Sequence, residues 1–577
     1  MINFEHEITG AKLLAIKAFS EYVGDELPPM PEKPDFTGAG FRAVPPLIRS
    51  IDSRPVMAHN EAGYFISKMC AAPERNYDAY IDRLITVKSA EEQSGKSRFI
   101  AVEDFSVSAM VRLYALFRGR INVSEETWAR LKKSLIDTVF APYFEPMSEN
   151  HKLCFLSSEL VAANLFPDDV FYDGMDGKTR MILVKRAVKA FLQKRLRRGW
   201  SEYDSSSYYE IDFMSLLNLY DFSPDSEIKR LASDCMNVMA AGMFVHAVNG
   251  YPAGPKGRVY PNVVENPKNG VYSIVRLAGA SGEFTADSVQ ITGMMYMATS
   301  DFMLDKEVYD IVMGNTGKEY EVKDSVGLYT IPDDMYVKGK IYKYFYKGTN
   351  YCMGCVAGRD DPYENVAHTW LCGHQEQAWS LTFADNPKAV VYSSHPGNPQ
   401  MFDYGMHGEW TGDCNCLCQH FVQNKNLLLC YWNITDKRQL QYIHLYIPEE
   451  EFDSVEYQKN SIIAAMGCID VRISLPSGYE RIRTGAYKKR EVRINAARGC
   501  FAVEVSSAAK QSSDLPQLLE NGALYRGLKI ENDITYIDDK PFDREEYKLY
   551  NSPYLKSEYD SGAIELTYNG SRRIYGI

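Results

Sequence analysis

The feature that most constrains this chain is a change of hydrophobic period near residue 320. Before it, apolar residues recur every three or four positions, through Ala11–Tyr22, Glu61–Ala72, Tyr77–Val87, Val107–Arg118, Glu125–Val139, Leu153–Leu165, Gly177–Arg198, Tyr208–Tyr220 and Asp225–Phe244. That spacing predicts one-sided helices. Ser124 before Glu125-Glu126 reads as an N-cap with first-turn acids, and Ser223-Pro224-Asp225 reads as a cap with Pro at the first helical position. Ser288–Ser300 and Lys306–Met313 continue the pattern. Beyond Tyr320 the segments are short, aromatic or β-branched, and divided by Gly, Pro, Asn and Asp, as in Ile341–Tyr346, Asn426–Trp432, Tyr442–Ile447 and Phe501–Val505. Those are strands.

A 577-residue chain exceeds what one core usually serves. The expected fold class is therefore α+β with two domains. Residues 1–320 are expected to form an α/α toroid, because short loops between many helices imply antiparallel hairpins packed side by side. Residues 321–577 are expected to form an antiparallel β-sandwich. No strand interleaves with the helices, which argues against Rossmann and TIM arrangements.

A formal net charge of −12 offers no basic excess for phosphate backbones, so no nucleic-acid partner is expected. The basic strip Lys185, Arg186, Lys189 and Lys194–Arg198 reads first as a solvated helix face. No apolar run approaches the ~20 residues of a membrane helix, so no membrane partner is expected. Met1–Glu7 lacks a basic and an apolar region of the secretory kind, so a cytoplasmic location is expected, or a secreted or periplasmic one if a leader has been removed. The 12 Cys are scattered, and Cys352/Cys355 lack a second spaced pair for zinc. Alternate Cys414, Cys416 and Cys418 read as one strand face. No cofactor is implied. His368, His374, His395, His407, His420 and His444, with Asp413, leave room for a structural divalent metal in the β half, although spacing selects no set.

Two stretches carry chemistry. Ser148-Glu149-Asn150-His151 opens one helical segment, and Trp200-Ser201-Glu202-Tyr203-Asp204 through Tyr208-Tyr209 opens another. A third, Asn249–Glu283, is long and rich in Gly and Pro around Arg258 and Tyr260, and long loops in compact domains often carry function. Each residue also has a structural reading: Asn150 as a helix cap, His151 as a first-turn residue, Tyr208 or Tyr209 as core, and Arg258 as a loop brace.

The motifs Glu149–Asp168 and Gly199–Asp221, together with the helices-then-strands order, resemble the polysaccharide lyases that include heparin, alginate and chondroitin lyases. The segment from Trp410 to Pro448 is similar to the sandwich of heparinase-like proteins. This resemblance implies β-elimination on an acidic oligosaccharide or polysaccharide containing uronic acid. It implies that Asn150 neutralises the substrate carboxylate, that His151 is base or proton-bearing partner, and that Tyr208, assisted by Arg258, handles the leaving-group proton. Glu202, Tyr209, Tyr260, His407 and Trp410 are expected to bind substrate. Two other readings stay open: a glycoside hydrolase using a pair among Glu149, Glu202, Asp204 and Glu210, or a glycan-binding protein without catalysis.

Overall fold

The computed structural model describes residues 4–22, 58–98, 103–140, 148–268, 270–278, 291–314, 318–327, 339–360, 376–396, 410, 418–506 and 513–576. The fold is mixed α+β, with helices first and antiparallel strands after them. The helices are α1 (Phe4–Tyr22), α2 (Ala58–Ala71), α3 (Asp78–Arg98), α4 (Asp104–Phe117), α5 (Glu125–Ile136), α6 (Glu149–Leu165) and α7 (Gly177–Arg198). They continue with α8 (Tyr208–Phe222), α9 (Ser226–Phe244), α10 (Pro261–Val264), α11 (Val271–Ala278), α12 (Ile291–Ala298) and α13 (Lys306–Val312).

Among these, α2 packs on α4, α4 on α6, α6 on α8, α8 on α12, and α12 back on α2. Helix α7 covers α6 and α9, and α13 covers α9. The helices of the inner cycle are buried nearly all round: α6 buries Leu153–Ala163 and α8 buries Tyr208–Leu219 without a break, Glu159, Glu210, Asp212 and Asn218 included. A helix with no exposed face lies between others.

The Ser124 cap agrees with the sequence, and the α9 cap does not. Ser124 accepts from the Thr127 N–H. The α9 cap, however, is Asp225, which accepts from the Glu227 and Ile228 N–H groups, so Pro224 lies before the helix rather than inside it. The Asp carboxylate reaches both N–H groups, while the Ser223 hydroxyl is used by the Asp225 N–H.

A short hairpin, β1 (Ala247–Val248) with β2 (Tyr251–Pro252), follows α9. Then β3 (Tyr320–Gly327), β4 (Lys340–Lys347), β5 (Tyr351–Arg359) and β6 (Trp379–Phe383) form an antiparallel sheet in chain order. A six-stranded antiparallel sheet runs from Ser454–Gln458 through Ser461–Met466, Ile469–Ser474, Arg498–Ser506 and Leu427–Asn433 to Gln419–Asn424. One apolar cluster draws Trp379 and Leu381 from the first sheet and Trp432 and Phe501 from the second.

The last sheet, Tyr550–Asn551 to Ser571–Gly576, behaves differently. Its Leu555, Ile564, Leu566 and Tyr575 belong to the helical core, and its strands lie on α7, α9 and α13. The chain thus returns to the helices at its end. Alternation of apolar and polar residues in Ala563–Tyr568 supplies one face for that purpose.

Cys352 and Cys355 are buried free thiols on β5. Of the proposed basic strip, Lys185 and Lys189 pair with Asp225, Arg198 pairs with Asp560, and Arg195 is buried. No described helix is long and apolar enough to cross a membrane.

Candidate functional site

The site is built around the loop from Gly199 to Ser207, between α7 and α8. Gly199 ends α7 with φ +73°, a left-handed conformation that a side chain disfavours, and its N–H donates to the Arg195 carbonyl. The Glu149 carboxylate, fully buried at the start of α6, then accepts from the N–H groups of Ser201 (3.1 Å) and Glu202 (2.6 Å) and pairs with Arg195. Glu149 therefore anchors the loop.

Other bonds finish the clamp. The Gly257 N–H donates to the Tyr203 carbonyl at 2.8 Å, and the Ser205 hydroxyl donates to the Arg258 carbonyl at 2.7 Å. The Val271 N–H donates to the Ser206 carbonyl at 2.8 Å. Loop 249–260 is thereby tied to loop 199–207, and Arg258 is held at φ +56°. A non-glycine residue in that region costs of order 1–3 kcal/mol, which the surrounding bonds offset.

The β half pins the same loop. Asp324 on β3 and Lys343 on β4 are direct register partners, and Phe345 shares the face of Lys343 two residues on. Lys343 Nζ donates to Asp204 at 2.7 Å. The His246 ring lies flat on Phe345, with centroids 3.7 Å apart, and bridges Asp204 (3.1 Å) and Asp324 (2.9 Å) through its two nitrogens. Burial opposes the Asp204 charge, but Lys343 and His246 outweigh it and hold the carboxyl down at about 2. Tyr203 donates its hydroxyl to Glu376, which also receives Arg359 at 2.7 Å.

On this frame Asn150, His151, Glu202, Tyr208, Arg258 and Tyr260 come together. His151 Nδ1 meets Asp104 Oδ2 at 2.9 Å, and its ring stacks on Phe105 with 4.9 Å between centroids. The His151 side chain is 28% exposed whereas Asp104 is fully buried. Burial alone would lower the His151 pKa; the Asp104 charge and hydrogen bond, with Glu202 nearby, raise it above its ordinary value. With Nδ1 engaged by a carboxylate, Nε2 is the nitrogen left to meet a substrate.

The Tyr208 hydroxyl receives Arg258 Nη2 at 3.1 Å and shares a 2.7 Å hydrogen bond with the Tyr260 hydroxyl. The Arg258 guanidinium also lies 5.0 Å from the Tyr208 ring centre. Burial keeps the Tyr208 phenol well above its usual range, reinforced by Tyr260 and only partly offset by Arg258. Burial likewise raises Glu202, whose Oε1 lies 3.9 Å from Arg258 Nε.

Asn150 is placed differently from its expected role. It is fully buried, and its Nδ2 donates to Glu202 (2.7 Å) and to the Ser148 hydroxyl (2.8 Å). Both amide hydrogens are thus spent inside the protein, because Glu202 folds back beneath the helix start. Nor is Asn150 the cap: that is Ser148.

Tyr209, next along α8 from Tyr208, turns into the wall against Trp200 and belongs to the helical core. Adjacent helical residues point about 100° apart, so one of the pair faces away. Trp410 is also buried. It stacks on His444 at 3.7 Å and packs with Val259, Val263 and Tyr392, so it joins the two halves rather than lining a cleft. His407 lies outside the described residues, as do His368, His374, Asp413, Cys414 and Cys416. His395 Nε2 donates to the Leu440 carbonyl at 2.7 Å, and among the described residues no three metal-ligating side chains cluster.

Asp104, Phe105, His246 and Lys343 had no local sequence signal. Asp104 is 47 residues from His151, and only the packing of α4 on α6 joins them.

No family model and no curated protein matches this sequence. Among solved structures, one titled as a heparinase III gene product aligns with 100% of this chain and 91% of that chain, at 10% identity and a TM-score of 0.34. That score records limited shared geometry, so the site is read from its own residues.

Proposed function

We propose that this protein is a lyase that cleaves a uronate-containing glycan by β-elimination, on an α/α toroid joined to a β-sandwich. The closed cycle of helix contacts supports the toroid. The apolar cluster shared between two antiparallel sheets supports the sandwich. The observation that carries the chemistry is the pairing of a carboxylate-backed imidazole, His151 on Asp104, with a phenol–guanidinium pair, Tyr208 and Arg258, beside Tyr260.

In this reading His151 Nε2 removes the C5 proton, and Asp104 stabilises the imidazolium that forms. Tyr208 stays protonated because it is buried, which suits an acid for the departing oxygen. It is only 7% exposed, while Tyr260 is half-buried, so Tyr260 relays the proton outward. Arg258 is the cation for the substrate carboxylate. Glu202 lies 3.9 Å from that guanidinium, and burial raises its carboxyl.

The hydrolase reading is less well supported by its carboxylates. Glu149 is spent on Arg195 and backbone, and Asp204 on Lys343 and His246. Glu210 is pushed up to about 8 by burial.

Ultraviolet absorbance after incubation with uronate-containing glycans tests the proposal, because elimination makes a conjugated C4–C5 double bond and hydrolysis does not. Absorbance that grows with wild type and is abolished in both His151→Ala and Tyr208→Phe is expected. New reducing ends without absorbance would overturn it.

A further inference from the structure

A cavity of about 840 Å³ opens in the β half, and none of the helical cluster lines it. It lies where the end of β5, the start of strand Gln419–Asn424, the loop 433–439 and strand Ile534–Ile537 meet. Its volume falls within the ~300–1,000 Å³ common for ligand sites.

The charges around it are largely satisfied from within. Arg359 donates to Glu376 at 2.7 Å, Arg544 lies 3.0 Å from Asp360, and Asp436 receives Arg438 at 2.8 Å. His420 sits 3.5 Å from Asp533, and burial holds its imidazole below the ordinary value, so at neutral pH it stands as an uncharged donor or acceptor. An anion entering here would have to displace a carboxylate from an arginine. A cation would meet the reverse problem.

Between these ion pairs the walls also offer neutral groups. Asn433 and Thr435 are exposed and carry both donors and acceptors. Between them and the opposite wall, Ile534 is 47% exposed, and Pro541 and Phe542 add apolar surface. Apolar patches set among paired donors and acceptors fit a ligand with flat C–H faces and vicinal hydroxyls.

We propose that this cavity is a second binding site, for an uncharged stretch of oligosaccharide. It is separate from the elimination chemistry and does not require it. The Arg359–Glu376–Tyr203 bonds connect its wall to the loop that carries Glu202, so both sites rest on one frame.

Chitohexaose, cellohexaose and maltohexaose serve as probes, with binding to the full chain read by saturation-transfer NMR and calorimetry. Asn433→Ala/Thr435→Ala removes two exposed groups without touching the core, and Thr435→Trp fills the cavity; thermal melts confirm that both stay folded. At least one hexasaccharide is expected to bind wild type, with affinity at least tenfold weaker in the double variant and in Thr435→Trp, and unchanged in His151→Ala. Three outcomes overturn the proposal: none of the probes binds, binding is indifferent to both cavity variants, or it disappears in His151→Ala. Failure of the ultraviolet assay leaves all of these readings intact, so the two proposals fail separately.

Discussion

Replacing Asp104 by Asn tests the reasoning most sharply, because it keeps the side chain's size and removes the charge behind His151. Hydrogen bonds to charged groups contribute about 1.5–3 kcal/mol. With the His151 side chain 28% exposed, solvent screening places this pair near the lower end, at about 1.5 kcal/mol. That corresponds to about a tenfold effect. The acid limb of kcat/KM against pH is expected to move to lower pH, because the charge that raises His151 is gone. The plateau is expected to fall about tenfold or more, since an Asn amide facing Nδ1 favours the tautomer that protonates Nε2.

Stability gives an independent readout. His151 is raised in the folded protein, so its contribution is complete below the unfolded value of about 6.5 and vanishes as pH rises through the folded value. Urea unfolding should therefore show Asp104→Asn costing more near about pH 5.5 than near about pH 8.5. Equal costs at both pH values, with an unmoved kinetic limb, would refute the His151–Asp104 coupling.

Tyr208→Phe is expected to abolish elimination, and Tyr260→Phe to lower kcat by about 10–100-fold with a smaller change in KM, since it removes one hydrogen-bonded relay; steady-state kinetics separates them. Glu149→Gln leaves Arg195 buried without its charge partner and is expected to cost about 3–5 kcal/mol in denaturant unfolding. Asp204, held at about 2, contributes roughly 2 kcal/mol that is present above its unfolded value of about 3.8 and lost as pH falls through about 2. Asp204→Asn should therefore destabilise at neutral pH, and the deficit relative to wild type should close in strong acid. His246→Gln is expected to raise hydrogen exchange across 199–207, because one of the two bonds that hold Asp204 is weakened.

Much of the secondary structure was legible because it depends on local periodicity. The bounds of α5, α6, α7 and α8 fall within a few residues of the apolar pattern, and the change to strands at Tyr320 follows the loss of that pattern. The short motifs also named most of the cluster: Asn150, His151, Glu202, Tyr208, Arg258 and Tyr260 lie on three segments that each begin or interrupt a helix. A polar residue at such a point is conspicuous in one dimension.

The direction of a side chain is not written there. Sequence determined that this chain would make helices, then strands, and that three polar segments would interrupt the apolar pattern. Tertiary structure decided the rest: that Asn150 turns inward to Glu202, that Tyr209 and Trp410 become core, that Asp104 comes from α4 to hold His151, and that His246 bridges Asp204 to Asp324 across the two halves. It also brought the C-terminal strands back onto the helices. The physical reason is that propensity and periodicity act over a few residues, whereas hydrogen bonding and burial act on whichever groups packing brings within about 3 Å, however far apart they lie along the chain.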